Sequence, residues 1–394
     1  MNILDKLDLK NCTGCHACYS GCPKKIIKMV SNKEGFLVPT IEMDKCVSCN
    51  ICINACPVLN KKEIETENHV FGCYNLNHQQ RLESASGGVF RVLAEEVIKN
   101  NGYVFGAGFN KEFQLEHMCA SNMVELKLLL GTKYIQSKIG NTYNQAKELL
   151  EKGKYVLFSG TPCQIRGLKS FLKKDYDNLF TIDLICHGVP SPMVWNDYLD
   201  EKGRKHLKKI ITRDKTYGMN NAPIVFIYDN GKETKEAYNE NLYLKGFIHN
   251  LYLRESCFNC KFKGISRISD ITIGDFWGLE YFDNSQQNDY GISVMISHNH
   301  RIDSFMKLLN NKMFIKEYPL EAAYTFNECL IKPVKMPRER NIFFRKYKEN
   351  GFDKTVNDLS KKIDKRKSYE SKIKSLYYIV YRIMKGVLKH ERKK

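Results

Sequence analysis

Apolar positions along the chain change their period several times, and each change marks an element. In SASGGVFRVLAEEVIKNNG, Val89, Phe90, Leu93, Val97 and Ile98 recur at helical spacing, from a start after Ser86 to an end near Gly102. YVFGAGF then reads as a strand, TYNQAKELLEKG as a helix, KYVLFSG as a strand, TPCQIRGLKSFLKK as a helix and LFTIDLIC as a strand. Such alternation predicts an α/β layer on a largely parallel sheet. From Arg213 to His298 the shorter runs APIVFIYDN, ITIGDFW and GISVMIS predict a mixed sheet packed on that layer. KMVSNKEGFLVPTI reads as a hairpin turning at Asn32 to Gly35. Near the C-terminus, Leu376, Tyr377, Val380, Ile383, Met384, Val387 and Leu388 form one helical stripe flanked by Lys374, Arg382, Lys385 and Lys389. The expected class is thus α+β and α/β. A small module spans residues 1–62, an α/β domain with mixed sheet spans 68–335, and a basic helical tail spans 336–394.

Charge follows the same division. The chain carries a formal +18, and residues 331–394 hold 21 Lys+Arg against 7 Asp+Glu, so +14 of it lies in the tail. A nearly neutral body argues against a nucleic-acid-coating protein and confines any electrostatic partner to one end. At 43% hydrophobic and 11% aromatic the chain can bury a core. No apolar run approaches the roughly 18 residues of a membrane span, and MNILDKLDLK lacks the pattern of a secretory signal. The expected location is cytoplasmic. The basic stripe offers peripheral contact with the inner membrane surface, an acidic partner, or its own domain.

Fifteen cysteines in a cytoplasmic chain point to metal or redox chemistry, because thiols there stay reduced. Eight fall in two runs of identical spacing: Cys12, Cys15, Cys18 and Cys22 before Pro23, and Cys46, Cys49, Cys52 and Cys56 before Pro57. Each position recurs after 34 residues. Three thiolates at three-residue intervals wrap one face of a 4Fe-4S cubane, and the fourth, beside the proline, reaches the other cluster. The expected sets are Cys12, Cys15, Cys18 with Cys56, and Cys46, Cys49, Cys52 with Cys22. Zinc sites would instead present separate C-x-x-C pairs. Residues 1 to about 60 resemble the bacterial dicluster ferredoxins.

Among the remaining cysteines, Cys257 and Cys260 form one C-x-x-C, while Cys163 and Cys186 each follow a predicted strand, where loops gather at the carboxyl edge of a sheet. These four thiols are enough for a third cubane, and inert buried thiols are the alternative. Cys73, Cys119 and Cys329 have no spacing partner and are expected to be inert. Ser86, Gly87 and Gly88 open a helix, where free amides and close backbone approach suit a phosphate, although an N-cap with ordinary glycines would look the same. Ser159, Gly160 and Thr161 carry the same ambiguity at the next strand-to-helix junction.

Taken together, SASGGVF, GTKYIQS, FSGTPCQIRGL, DLICHGVPSP, CFNCKF and SDITIGDFWG resemble the beta-subunit family of coenzyme F-420 (deazaflavin) hydrogenases and dehydrogenases, over roughly residues 68–335. The resemblance implies FAD beside a third 4Fe-4S cluster held by Cys163, Cys186, Cys257 and Cys260. It also implies flavin or phosphate contacts from Ser86, Gly87, Gly88, Lys133, Tyr134, Gln136, Ser137, Ser159, Gly160 and Thr161. Asp275, Trp277 and His187 would face the flavin, substrate or cluster. Two departures stand out. The ferredoxin module is fused to the flavin domain, and Cys186 is followed by His187 and Gly188 where the deazaflavin-using subunits have an acidic stretch.

The function expected is an iron-sulfur flavoprotein oxidoreductase. Electrons would pass between the ferredoxin clusters and a flavin that reduces or oxidises a small hydride-exchanging substrate, with a redox partner protein or reduced ferredoxin at the other end. The alternative is a non-catalytic electron bridge serving a partner enzyme, for instance in polysaccharide assembly. No Ser-His-Asp, HExxH or P-loop arrangement argues for hydrolysis or phosphoryl transfer. No nucleic-acid partner is expected.

Overall fold

A computed structural model describes residues 1–61, 64–219, 221–286 and 289–368. They form two compact units, Met1–Asn241 with Leu253–Lys335, and Leu242–Tyr252 with Met336 onward. In the first unit the hairpin is β1 (Ile27–Ser31) and β2 (Leu37–Ile41), paired antiparallel. Asn32 makes the turn, its side-chain oxygen accepting from the amides of Glu34 and Phe36.

The main sheet takes eight strands. They are β3 (His69–Asn75), β4 (Tyr103–Phe109), β5 (Leu115–Ala120), β6 (Val156–Gly160), β7 (Leu179–Leu184), and three contributed later in the chain. Between those groups, β8 (Leu207–Ile211), β9 (Ile224–Tyr228) and β10 (Glu233–Glu236) make a separate antiparallel sheet. The main sheet is completed by β11 (Ile271–Asp275), β12 (Ser293–Ser297) and β13 (Met313–Tyr318), in the order β13-β3-β12-β11-β7-β6-β4-β5. The four central strands β4, β6, β7 and β11 run parallel, and the flanking pairs are antiparallel. This corrects one expectation. Of the three late runs read from the sequence, APIVFIYDN forms β9 in the separate sheet, while β11 and β12 join the main one, where Ile271 pairs with Ile182 of β7.

Alternation along the central strands sends their side chains to opposite faces. Val104 and Leu157 pack with Val92, Leu93 and Val97 of the helix Val89–Lys99. Phe105, Val156 and Phe158 pack with Tyr143 and Ala146 of the helix Thr142–Glu151 and with Ile165 and Leu168 of the helix Pro162–Leu172. Cys15, Ala17 and Ala55 of the N-terminal module belong to this second core, so one half of the cysteine repeat is built into the α/β domain.

In the second unit Tyr252 packs on Phe343 at 5.2 Å and Arg366 pairs with Glu339 at 2.5 Å. The stripe from Leu376 to Leu388 lies outside the described residues. Among the described residues no helix is long and apolar enough to cross a membrane.

Candidate iron-sulfur and flavin sites

The N-terminal cysteines separate into two groups by surroundings. Cys12, Cys15, Cys52 and Cys56 are buried, Cys18, Cys22 and Cys46 are half-buried, and Cys49 is exposed. Burial pushes the Cys15 thiol up to about 12, and the neighbouring Cys56 and Cys12 push in the same direction. Cys18 is raised by burial and then by Cys15, Cys12 and Cys56. Cys22, Cys46, Cys49 and Cys52 line a single small hollow. His16 and Asn50, each directly after the second cysteine of its run, both adopt left-handed backbone, bending each run around its own centre.

Arg254 fastens the first group to the α/β domain. Its Nε donates to the Cys12 carbonyl at 2.6 Å, one Nη to the Gln136 side chain at 3.0 Å and the other to the Leu37 carbonyl at 2.9 Å. Gln136 in turn donates to the Thr13 carbonyl. Gly35 presses the hairpin tip onto the start of the helix Pro192–Glu201, where a Cβ would stand 2.3 Å from that of Met193. A Cβ on Gly167 would lie 3.1 Å from Cys15 Sγ, which puts Cys15 directly against the helix that carries Cys163.

Cys163, Cys186, Cys257 and Cys260 come together at the carboxyl edge of the sheet, from the first turn of the helix Pro162–Leu172 after β6, the loop after β7, and the short turn Glu255–Asn259 with its flanking Cys260. Burial is the largest influence on Cys163, followed by Cys260, with Cys186 and Cys15 also acting on it. Burial raises Cys257 to about 12, with Cys186 and Cys260 adding to the effect. For Cys186 burial raises the pKa, while the cations of Lys263 and Arg267 pull it down. Thiols this buried stay protonated unless a metal compensates their charge. Among the described residues no three Cys, His, Asp or Glu side chains are placed to hold a single metal ion.

Cys329 departs from its expected isolation. Its Sγ lies 3.4 Å from Nδ1 of His187, and Lys263 donates to the carbonyls of both Cys329 and Cys186. Cys73 is enclosed in β3 and Cys119 lies in β5.

The residues singled out for the flavin fall into two places. Ser86, Gly87 and Gly88 sit beyond the carboxyl end of β3, against the start of β12. Ser86 Oγ donates to the Ile292 carbonyl, and the Gly87 amide donates to Ser293 Oγ. A Cβ on Gly87 would stand 2.1 Å from the Cys73 carbonyl, so packing alone requires this glycine. Beside the loop, Arg213 donates to the Ala85 carbonyl and to Asp275 Oδ2 at 2.8 Å, with its guanidinium 5.9 Å from the Trp277 ring. Lys215 is buried and donates to the carbonyls of Arg81, Ser86 and Tyr290. Tyr134 belongs to this group, raised to about 12 by burial and influenced by Arg213 and Asp275. Arg81 Nη2 is buried and has no partner among the described residues.

Gln136 and Ser137 lie elsewhere. With His16, Gly35, Asn196 and Asp197 they line a cavity of about 450 Å³. Ser137 Oγ accepts from Gln164, and the same glutamine side chain receives the Thr161 amide. Thr161 Oγ1 lies 3.2 Å from Cys163 Sγ, Ser159 Oγ donates to the Phe105 carbonyl, and Gly160 packs on Gln164. Lys133 donates to the carbonyls of Leu129 and Leu130, closing the C-terminus of the helix Met123–Leu129. Arg213, Lys215, Arg254 and Lys263 escaped the reading of the sequence. Only Arg254, three residues before Cys257, carried a positional hint.

A ferredoxin-like module packed on an α/β domain, with cysteines at their meeting point, defines an iron-sulfur electron-transfer protein. Residues 11–60 match the 4Fe-4S dicluster domain. Residues 153–323 match the C terminus of the coenzyme F420 hydrogenase/dehydrogenase beta subunit. A chain in the F420-reducing [NiFe] hydrogenase complex from Methanosarcina barkeri is similar at 14% identity, covering 78% of this chain and 94% of its own, with a TM-score of 0.42. No curated protein matches.

Proposed function

We propose that the chain is an iron-sulfur flavoprotein oxidoreductase. Cys46, Cys49, Cys52 and Cys22 would hold one cluster, Cys12, Cys15, Cys18 and Cys56 a second, and Cys163, Cys186, Cys257 and Cys260 a third, and with FAD these would connect a one-electron partner to a small substrate. The observation that carries this reading is the position of Cys163. Cys163 and Cys260 pack against the core that holds Cys12, Cys52 and Cys56, and Cys15 lies against the helix that carries Cys163, so the two thiol groups meet without an intervening domain. When bound, cubane clusters supply one-electron transfer and a flavin links it to two-electron chemistry.

The protein's own part is placement. Arg254 holds the Cys12 loop against the segment leading to Cys257. Lys263 and Arg267 place positive charge near Cys186. Lys215, its ammonium pulled down to about 7 by burial, and Arg213, paired with Asp275, fix the Ser86 loop at the N-terminal end of the helix Val89–Lys99, and Arg81 offers an unpaired N–H there. That combination fits the phosphates of FAD. Asp275, Trp277 and Tyr134 would border the reacting face, and His187, beside Cys329, would serve the third cluster. The cavity at Gln136 and Ser137 would accept the remainder of the cofactor or the substrate.

The test is cofactor content after anaerobic purification. Three clusters predict about 12 iron atoms per chain, with one FAD. Stoichiometric zinc, or no flavin after reconstitution, would overturn the reading. Flavin that is present but reduces no acceptor would favour the electron-bridge alternative.

A further inference from the structure

The half of the cysteine repeat that faces solvent is surrounded by side chains that its own fold does not use. Met1, Met43 and Val47 are 58%, 57% and 58% exposed. Single exposed apolar residues are ordinary, but these share one place. Met1 and Val47 line the same hollow as Cys46 and Cys49, together with Lys24. Met43 is tied to that rim by the Asn2 side chain, which donates to its sulfur at 3.6 Å. Cys49 is the one exposed cysteine of the fifteen.

The charges around the rim are mostly positive. Lys24, Lys25, Lys28 and Lys45 stand there against Glu42 and Asp44, and all four lysines are exposed. Glu42 is shared between Lys28 at 2.6 Å and Lys45 at 2.7 Å, so it neutralises one of the two. Lys24 and Lys25 follow directly on Cys22 and Pro23.

We infer that this rim is the docking surface for a small acidic one-electron carrier protein, an inference that rests on the electron path proposed above. An apolar centre within a ring of one sign selects a partner of the opposite sign and speeds its arrival. Transient redox contacts are small, below about 1,200 Å², a size suited to one side of so small a module. A second copy of the chain would set lysines against lysines. An anionic membrane would match the charge but would close off the exposed thiol through which a soluble donor reaches the path. In the docked complex one electron leaves the carrier, which is oxidised, and is taken up at the Cys46 and Cys49 site, which is reduced. No bond forms or breaks.

The experiment uses the full-length holoprotein under anaerobic conditions, with a reduced acidic [2Fe-2S] ferredoxin as the probe and dithionite as a small control reductant. The second-order rate constant for reduction by the ferredoxin should fall about tenfold in Lys24→Glu/Lys25→Glu, and similarly when salt rises from about 50 to about 500 mM. Val47→Asp should slow it as well. Dithionite should reduce wild type and variants within about twofold of one another, showing that the clusters are intact. Unchanged ferredoxin rates in both variants overturn the inference. So does a rim that instead binds phosphatidylglycerol vesicles or drives self-association in a lysine-dependent way. If dithionite fails to reduce the wild-type clusters, the electron path itself falls and the docking role falls with it. A ferredoxin-specific failure removes the docking surface alone.

Discussion

Cys15 and Cys49 hold the same place in the repeat, 34 residues apart, yet Cys15 is enclosed against the helix Pro162–Leu172 while Cys49 faces solvent. The spacing that makes each run a cluster binder is local. The difference between them is imposed by residues far along the chain. Arg254 reaches back to the Cys12 and Leu37 carbonyls, and Gly35 fits under Met193. A duplicated sequence thereby becomes an asymmetric pair, one half open to solvent and the other enclosed by the α/β domain.

The contrast can be broken most severely at the buried half. Cys15→Ser and Cys49→Ser should each lose about four iron atoms per chain. Cys15→Ser should cost about 2 kcal/mol more stability, because it leaves a hydroxyl in a closed core, and thermal denaturation of the two variants side by side checks this. Arg254→Met should keep the iron content of wild type while slowing flavin reduction by about tenfold or more, since it removes the contact that holds the Cys12 loop to the Cys257 segment. Stopped-flow absorbance separates the two effects.

A subtler change is expected at the third thiol group. Lys263→Met removes a cation near Cys186 and should make that centre harder to reduce, shifting its reduced-to-oxidised ratio about tenfold at fixed potential, or about 59 mV for a one-electron couple. Potentiometric EPR would show the shift in one signal and leave the ferredoxin signals in place. Gly35→Ala is expected to act on stability and least on electron transfer. A Cβ there meets Met193 and the backbone has φ +84°, so a loss of about 2 kcal/mol should appear as a lower Tm with electron transfer largely retained.

Much of this was legible in the sequence, for definite reasons. The eight N-terminal cysteines announce themselves by spacing, and the central strands β4, β6, β7 and β11 by their apolar runs. The sheet edges were harder. HVFGCYN and MFIKEY give β3 and β13, which pair antiparallel with each other from opposite ends of the domain's sequence, a partnership no local pattern reveals. The burial contrast between the two runs was invisible, because no local property of either run says which will face the α/β domain. Arg213 and Lys215 lie in ITRDKTYG, which reads as a polar turn, and their work on the Ser86 loop is done across the fold. Cys329 lacks any spacing signal and meets His187 only through tertiary structure.

The path through the third thiol group is the central claim, and rapid freeze-quench EPR on Cys257→Ser, mixed anaerobically with a one-electron donor while flavin absorbance is followed, tests it most directly. The expected result is reduction of both ferredoxin clusters at the wild-type rate, with flavin reduction at least tenfold slower. Flavin bleaching at the wild-type rate in that variant would contradict the account.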